Sequence, residues 1–331
     1  MENIMKIGKI PETALKRAVL NQIEHRRDEV LVGPGVGEDC SVLAIEKDDA
    51  LILSTDPITG TVHDIGRLAV HITANDIATS GAEVIGIMLS ILLPEGTGEA
   101  DLKGMIRDID GECKKLNIEI LGGHTEVTKA VNQPIVTVTG VGRRKRSEVI
   151  KTAGAVPGQE IVMTKWAGLE GTAIIAAAKE QELLSKYNSG FIDGAKKMIN
   201  DISVVPEAGI AREHKVTSMH DATEGGIFGA LWEIGTASKV GLEVDLQKIT
   251  LKQETVEICE FYDLNPYMLI SSGSMLIVTD RSNLLVERLQ EAGITAAVIG
   301  HITEGNDRII KNGEERRFLE PPKSDELYKV M

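Results

Sequence analysis

The sequence predicts a protein of two α+β domains, and three observations point to this class. The chain has 331 residues, about twice the usual length of a single domain. Segments with strand and helix patterns follow one another in both halves, but not in the strict β-α-β order of a doubly wound sheet. The segment Lys151–Gln159 contains Gly154, Pro157 and Gly158 and is the best linker candidate. We therefore divide the chain into residues 1–152 and 153–331.

The first half contains predicted helices and strands on either side of a glycine-rich loop, Gly33–Gly37. Apolar residues at Ile65, Leu68, Ala69 and Ile72 follow the i, i+3, i+4, i+7 spacing of a helix. The other predicted helices are Thr13–Ile23 and Ala100–Leu116, and the predicted strands are Ser41–Ile45, Ala50–Ser54, Val84–Leu93, Ile118–Leu121 and Ile135–Val141.

The second half shows a similar mixture of patterns. Its predicted strands are Ile161–Thr164, Thr217–His220, Leu242–Val244, Met275–Val278 and Ala297–His301. Its predicted helices are Thr172–Lys179, Gly190–Asn200, Val204–Glu213, Gly226–Ala237, Glu254–Tyr262 and Ser282–Ala292. Because only 3% of the residues are aromatic, the core of each half must be built mainly from aliphatic side chains.

Charge and cysteine content exclude several classes of function. The formal charge of −14 disfavours nucleic-acid binding, because an acidic surface repels phosphate backbones. The basic run Arg143–Arg146 is expected to be a solvated loop. Cys40, Cys113 and Cys259 are far apart and lack metal-site spacing, which is typical of reduced thiols in the cytoplasm. The longest apolar run, Val84–Leu93, is far short of the roughly 20 residues of a membrane helix, and no signal-peptide pattern begins the sequence.

Two aspartates flank the predicted strand pair of the first half. Asp39 precedes Ser41–Ile45 and Asp56 follows Ala50–Ser54, so the two carboxylates would meet at one sheet edge if the strands form a hairpin. Paired carboxylates favour a cation, and Mg²⁺ is commonly held by carboxylates together with substrate phosphates. Gly35 and Gly37 could bring backbone N–H groups to those phosphates. The alternative is that both aspartates belong to unrelated turns.

Three further segments carry residues suited to a metal–phosphate site. Asp76 continues the apolar stripe of the helix that begins at Ile65, where a carboxylate needs a partner unless the stripe ends early. Asp221 lies between a predicted strand and a helix that opens with glycines, a position suited either to an anion or to a helix cap. The segment GGHTE, residues 122–126, is either a ligand-binding loop or a glycine-rich turn.

Taken together, these motifs resemble the superfamily of aminoimidazole ribonucleotide synthetase, also called PurM-like. Other members of this superfamily are selenophosphate synthetase, thiamine-monophosphate kinase and the hydrogenase-maturation protein HypE. GEDCSVL, STDPITG, the segment ending in NDIATSGAE, GGHTE, HDATEGG and NPYMLISSG occur in the order expected for this superfamily. The NDIATSGA segment is the most specific of these matches.

The resemblance implies a fold, cofactors and a site. The N-terminal half is expected to form a β-barrel with a second copy of the chain, and ATP and Mg²⁺ are the implied cofactors. The implied metal ligands are Asp39, Asp56, Asp76 and Asp221, and the implied catalytic residues are Asp76 and His124. The implied nucleotide-binding residues are Gly35, Gly37, Asn75, Gly122, Gly123, Thr125, Lys165 and Gly225.

Within the superfamily, the segment around DIGRLAV is most similar to HypE, but the acceptor side departs from that branch. Glu224 stands where HypE has an arginine, Ser272 stands where it has a glutamate, and the sequence given ends at Met331 rather than at a cysteine. We therefore expect ATP-dependent phosphorylation of an amide or similar oxygen, in a homodimer with a maturation-protein partner. The alternative is a nucleotide-binding scaffold without turnover.

Overall fold

The computed structural model describes residues 8–9, 12–32, 34, 42–58, 65–321 and 324–331. The chain divides into two compact units. The first consists of residues 1–78 and 82–149, and the second of residues 79–81 and 150–331. Within the described ranges, no helix is both long enough and apolar enough to cross a membrane.

The first unit is built on a five-stranded sheet and a separate two-stranded ribbon. Its strands are β1 (Gly8–Lys9), β2 (Val30–Val32), β3 (Val42–Leu43), β4 (Asp49–Ile58), β5 (Glu83–Leu93), β6 (Glu119–Val127) and β7 (Ile135–Lys145). The sheet has the order β1-β6-β5-β7-β4, and β2 pairs with β3. Among the described strands of the sheet, β5 and β6 are parallel and the other neighbours are antiparallel. Among the described residues of one chain the sheet is open and does not close into a barrel.

One face of this sheet is covered by helices. The helices of the unit are α1 (Glu12–Ala18), α2 (Ile65–Thr79) and α3 (Glu99–Leu116), of which α3 connects the parallel strands β5 and β6. Helix α2 approaches β7 closely because Gly140 has no side chain, and a Cβ there would lie 2.5 Å from Ile77 Cδ1. Helix α3 holds α2 through His71, whose Nε2 lies 3.2 Å from Glu112 Oε2. This hydrogen bond and a second one from Lys115 lower the pKa of Glu112 to about 2, although burial opposes the shift.

The hairpin predicted from Ser41–Ile45 and Ala50–Ser54 is wrong. The described residues of the first segment contribute the two-residue strand β3, which pairs with β2. The second lies within the ten-residue strand β4, which pairs along its whole length with β7. The long β4–β7 ladder satisfies far more backbone hydrogen bonds than a hairpin with a two-residue strand could.

The second unit contains a seven-stranded sheet. Its strands are β8 (Glu160–Thr164), β9 (Ser218–Asp221), β10 (Gly241–Asp245), β11 (Met275–Thr279), β12 (Ala296–Thr303), β13 (Arg308–Asn312) and β14 (Glu315–Phe318). They are arranged in the order β14-β13-β10-β12-β8-β11-β9, with only β10 and β13 parallel. The helices are α4 (Leu169–Ala178), α5 (Glu180–Leu183), α6 (Ser189–Lys197), α7 (Val205–Ala211), α8 (Gly226–Ser238), α9 (Gln253–Tyr262) and α10 (Ser282–Glu291).

Aliphatic side chains form two cores in this unit, as the low aromatic content predicts. Helix α8 packs Ile227, Leu231 and Ile234 against residues of the sheet. Helices α4, α5, α6 and α9 form a second cluster, which also includes Leu327 from the 3₁₀ turn Glu326–Lys329. The end of the described chain is therefore part of the packed second unit.

Candidate functional site

The first unit brings together two of the predicted metal ligands. Strand β4 places Ser54 and Asp56 two residues apart, and therefore on the same face of the sheet. Helix α2 supplies Asp76 to that face. The Ser54 Oγ lies 2.5 Å from Asp76 Oδ2 and 3.2 Å from Asp56 Oδ2. Asp56 lies inside β4, not after it as the sequence suggested, so the meeting of Asp56 and Asp76 depends on the packing of α2.

The chemistry of this group fits a magnesium ion. The hydroxyl of Ser54 has one proton and can donate it to only one of the two carboxylates at a time. Carboxylates this close to each other are stabilised by a cation, and Mg²⁺ prefers oxygen ligands. Among the described residues, no three His, Cys, Asp or Glu side chains are arranged to hold a metal. Mg²⁺ bound by Asp56 and Asp76 would therefore take further oxygen ligands, such as those of a phosphate.

Three other predicted ligands lie outside the described residues. They are Gly35, Gly37 and Asp39 of the glycine-rich segment. Their roles at the phosphates and the metal stay predictions. Asn75, which precedes Asp76 in α2, is fully buried.

The GGHTE segment is part of β6, so its interpretation as a loop after a strand is wrong. Within the strand, His124 and Thr125 point to opposite faces of the sheet. The His124 side chain is 47% exposed, and its Nε2 lies 3.3 Å from Glu126 Oε2. Thr125 lies in the same row as buried Ile91, on the helix-covered face that carries Asp76. The geometry therefore does not support a catalytic pair of His124 and Asp76 within one chain.

Gly123 is required by the backbone of the sheet. Its φ of +147° is one that L side chains rarely adopt, and a Cβ would lie 1.8 Å from the carbonyl oxygen of Leu89. Gly122 pairs with Met88 in the same ladder. The close approach of β5 and β6 is therefore enough to explain why residue 123 is a glycine, without a bound nucleotide.

Replacing Gly123 by alanine is expected to lower the free energy of unfolding by about 1–3 kcal/mol, because the new methyl group overlaps the Leu89 carbonyl. Urea unfolding followed by circular dichroism measures the effect. The matched control is Gly111→Ala in α3, where a Cβ meets nothing within 4 Å. That control should raise stability by roughly 0.5–1 kcal/mol. Equal stability of the Gly123→Ala variant and the wild type would contradict the expectation.

Asp221, the fourth predicted metal ligand, is the last residue of β9 and is buried. The next residue, Ala222, donates its N–H to the carbonyl of Ser274 at 2.9 Å. Asp221 belongs to the second unit, whereas Asp56 and Asp76 belong to the first. A common metal site for all three stays a prediction.

Gly225, just before α8, donates its N–H to a carboxylate of the chain itself. Gly225 and Gly226 have φ values of +80° and +61°. The Gly225 N–H donates to Asp325 Oδ2 at 2.7 Å, and Asp325 Oδ1 accepts the N–H of Leu327 at 2.8 Å. Asp325 therefore occupies the N–H group of Gly225 that was assigned to the nucleotide.

Lys165 also has partners within the second unit. Its Nζ lies 2.6 Å from Glu207 Oε1 and donates to the carbonyl oxygens of Asp201 at 2.8 Å and Ser203 at 2.5 Å. The two carbonyl oxygens use two of the three N–H donors of the ammonium group, and the carboxylate of Glu207 balances its charge. These contacts give Lys165 partners within the second unit, and its role at the nucleotide stays a prediction.

Glu170 was not predicted from the sequence. It is the second residue of α4 and is only 5% exposed. Burial raises its pKa to about 7; contact with Ser272 opposes the shift, and the negative charges of Asp325 and Asp221 add to it. A glutamate in the first turn of a helix is common because it interacts favourably with the helix dipole, so no sequence signal singled it out.

Replacing Glu170 by glutamine is expected to raise stability at alkaline pH. Below about pH 4.5 the Glu170 carboxyl is protonated in both the folded and the unfolded protein. As the pH rises to about 7 the unfolded chain releases this proton first, so wild-type stability falls, and above pH 7 the loss is constant. Glutamine cannot ionise, so the variant should be more stable by about 3 kcal/mol at pH 8 and by little at pH 4.5. Urea unfolding at both pH values measures the difference, and an equal difference at the two values would contradict the assignment.

The basic run of the first unit is paired with carboxylates. Arg143 lies 2.6 Å from Glu29, and Lys145 lies 2.8 Å from Asp49. The run belongs to β7 and the turn after it, not to a solvated loop. These ion pairs leave less positive charge for a phosphate backbone than the sequence run alone suggests.

Comparisons with known proteins agree with this two-unit architecture. The family model described as AIR synthase related protein, N-terminal domain, matches residues 37–144, and the corresponding C-terminal domain matches residues 156–311. A protein of Methanocaldococcus jannaschii named for hydrogenase expression and formation is 27% identical, over 98% of this chain and 97% of its own length. The carbamoyl dehydratase HypE of Cupriavidus necator is 28% identical, over 83% of this chain and 79% of its own length. The crystal structure of a hydrogenase maturation protein HypE in complex with ATP has a TM-score of 0.78 at 20% identity, covering 98% of this chain and 97% of that one.

Proposed function

Because this chain belongs to the AIR synthase related family, we propose that it binds ATP with Mg²⁺ and transfers the terminal phosphoryl group to an amide or similar oxygen. The observation that carries the proposal is the convergence of Asp56 and Asp76 on the hydroxyl of Ser54. Two carboxylates next to one hydroxyl are oxygen ligands of the kind that Mg²⁺ prefers. They do not fill the coordination shell of the ion, which needs further oxygen ligands. The triphosphate of ATP supplies such oxygens.

In this proposal the residues of the site act by position and charge. Asp56 and Asp76 hold the metal, and Asp39 and Asp221 are its further predicted ligands. Ser54 lies within hydrogen-bond distance of both carboxylates and donates its one proton to either of them. Bound Mg²⁺ would neutralise negative charge on the phosphate oxygens, which is the main requirement of phosphoryl transfer.

The names of the relatives support a role in the maturation of a hydrogenase or another metalloenzyme. One is named for hydrogenase expression and formation, and the other is a carbamoyl dehydratase. A maturation protein is therefore the partner that we propose. The acceptor can differ from that of HypE because Glu224 replaces an arginine and Ser272 a glutamate. Glu224 accepts a hydrogen bond from the Tyr328 hydroxyl at 2.6 Å.

We also propose that the chain forms a homodimer through the face of the five-stranded sheet that is opposite its helices. Leu51, Leu53 and Met88 are 47%, 63% and 39% exposed on that face. Apolar side chains on one sheet face are typical of a surface covered by another protein. Leu53→Glu should convert the dimer to a monomer in sedimentation velocity, whereas Leu284→Glu, at another exposed leucine, should not. A wild-type monomer, or a Leu53→Glu dimer, would contradict the proposal.

The proposed activity is tested by ADP formation from ATP in the presence of Mg²⁺ or EDTA, against a panel of amides and other small acceptors. We expect turnover that requires Mg²⁺. Tight ATP binding in calorimetry without ADP formation over hours would favour the alternative of a non-catalytic scaffold. Absence of both binding and turnover would contradict the proposal itself.

A further inference from the structure

An open groove lies in the first unit between helix α3 and the end of α1 with the turn that follows it. Its volume is about 590 Å³, which is within the range of sites for small molecules. One wall consists of residues from the segment 17–24, and the other is the face of α3 that carries Arg107, Gly111 and Lys114. Glu112, which contacts α2, lies on a different face of α3. The groove is therefore separate from the proposed metal site, to which α2 contributes.

Charged side chains of both signs line this groove. The cations are Arg17, Lys103, Arg107 and Lys114, and the carboxylates are Glu24, Glu99 and Asp110. At one end, Arg17 and Glu99 neutralise each other through two hydrogen bonds, at 3.0 and 2.8 Å. Within the described ranges, the other five charged residues form no ion pair. Opposite charges therefore line the same groove without contacting each other.

The guanidinium group of Arg107 is held in place at the groove. Its Nε donates to Gln22 Oε1 at 2.8 Å, and Gln22 Nε2 donates to the carbonyl oxygen of Arg17 at 2.7 Å. Gln22 is only 9% exposed, so packing fixes this support. The two terminal nitrogens of Arg107 have no partner among the residues that the structure describes. They can bind a carboxylate through two hydrogen bonds from a guanidinium group that is already oriented.

Asp110 supplies a buried negative charge to the same groove. It is 7% exposed, and its two oxygens share a single N–H, that of Glu24, at the long distances of 3.3 and 3.4 Å. A carboxylate can accept about four hydrogen bonds, and a buried one that is poorly paired is costly. The neighbouring Gly111 leaves room, because a Cβ there would meet nothing within 4 Å. Asp110 can therefore accept further hydrogen bonds from a cationic group.

We propose that the groove binds a small molecule with one ammonium group and two carboxylates, the charge pattern of an acidic amino acid. The ammonium group lies at Asp110, and the carboxylates lie at Arg107 and Lys114. Such a ligand pairs the separated charges of both signs at once. A plain dianion is repelled by Asp110 and Glu24, and a plain amine leaves the two cations unpaired. The site does not depend on the proposed function.

The test uses the full chain without nucleotide, with L-glutamate as the probe in a saturation-transfer NMR titration at pH 7. We expect saturable binding with a Kd on the order of millimolar, because the ligand is small and the groove is open. Two matched compounds each lack one group of glutamate. Glutarate has no ammonium group and 4-aminobutyrate has one carboxylate fewer, so each should bind at least about tenfold more weakly.

Three variants connect the binding to the groove. Asp110→Asn should weaken glutamate binding at least about tenfold but should not weaken glutarate binding, because it removes an attraction to the first and a repulsion of the second. A loss caused by misfolding would affect both compounds alike. Arg107→Gln should weaken the binding of glutamate and of glutarate. The control is Arg288→Gln, at an exposed arginine that pairs with Glu291, and it should change neither affinity.

Three results would overturn the proposal for this groove. The first is the absence of saturable glutamate binding to the wild type. The second is equal affinity of the wild type for glutamate and glutarate. The third is undiminished glutamate affinity in Asp110→Asn or in Arg107→Gln.

Discussion

Replacing Asp76 or Asp56 by asparagine is expected to lower Mg²⁺-dependent ADP formation at least about a hundredfold. Each change keeps the shape of the side chain and its contact with Ser54 but removes one of the two negative charges that would hold the metal. Stabilisation of transition-state charge by a metal is worth several kcal/mol, so loss of the metal has an effect of this size. The measurement is steady-state ADP formation at saturating Mg²⁺.

The matched control for these variants is Asp49→Asn in the same strand. Asp49 pairs with Lys145 at the other end of β4, at a distance of 2.8 Å between Nζ and Oδ1. Asp49 is five residues from Ser54 along the strand, too far to touch the two carboxylates, so this variant should keep its activity within about twofold. Unchanged turnover in both Asp56→Asn and Asp76→Asn would show that the two carboxylates are not metal ligands.

The second large effect concerns Lys165. Lys165→Met is expected to lower the free energy of unfolding of the second unit by about 3–5 kcal/mol, because it leaves the carboxylate of Glu207 buried without its counter-charge. Burial already raises the pKa of Glu207, and Lys165 is the group that lowers it. The measurement is urea unfolding of the purified variant at pH 8.

A double variant separates the structural role of Lys165 from the nucleotide contact implied by the resemblance. Lys165→Met combined with Glu207→Leu removes both charges, so most of the lost stability should return. Calorimetry should then show ATP affinity close to that of the wild type. A stable Lys165→Met variant that no longer binds ATP would instead make Lys165 a nucleotide ligand.

Local patterns were sufficient to predict the elements with long hydrophobic repeats. Helix α3 and the helix that begins at Ile65 are confirmed by the helical period of their apolar residues, and strand β5 by its continuous apolar run. Strands β13 and β14 were missed, since they are short and rich in charged residues, and β14 is exposed. The pairing of β4 with β7 was also missed, because strand partners far apart in sequence leave no local signal.

The candidate site shows the same division between local and tertiary information. Asp56 and Asp76 could each be proposed from their surroundings in the sequence. That they meet at Ser54 follows from the packing of α2 on Gly140, which no spacing encodes. Glu170 could not be singled out, because only the folded unit buries it beneath the loop that carries Ser272.

The central claim is that Asp56 and Asp76 hold the metal of an ATP complex. It is tested most directly by crystals grown with Mn²⁺ and a non-hydrolysable ATP analogue, with anomalous diffraction used to locate the metal. We predict an anomalous peak about 2.0–2.3 Å from a carboxylate oxygen of each aspartate and in contact with the phosphates. An ordered nucleotide whose metal lies away from both carboxylates would contradict the claim.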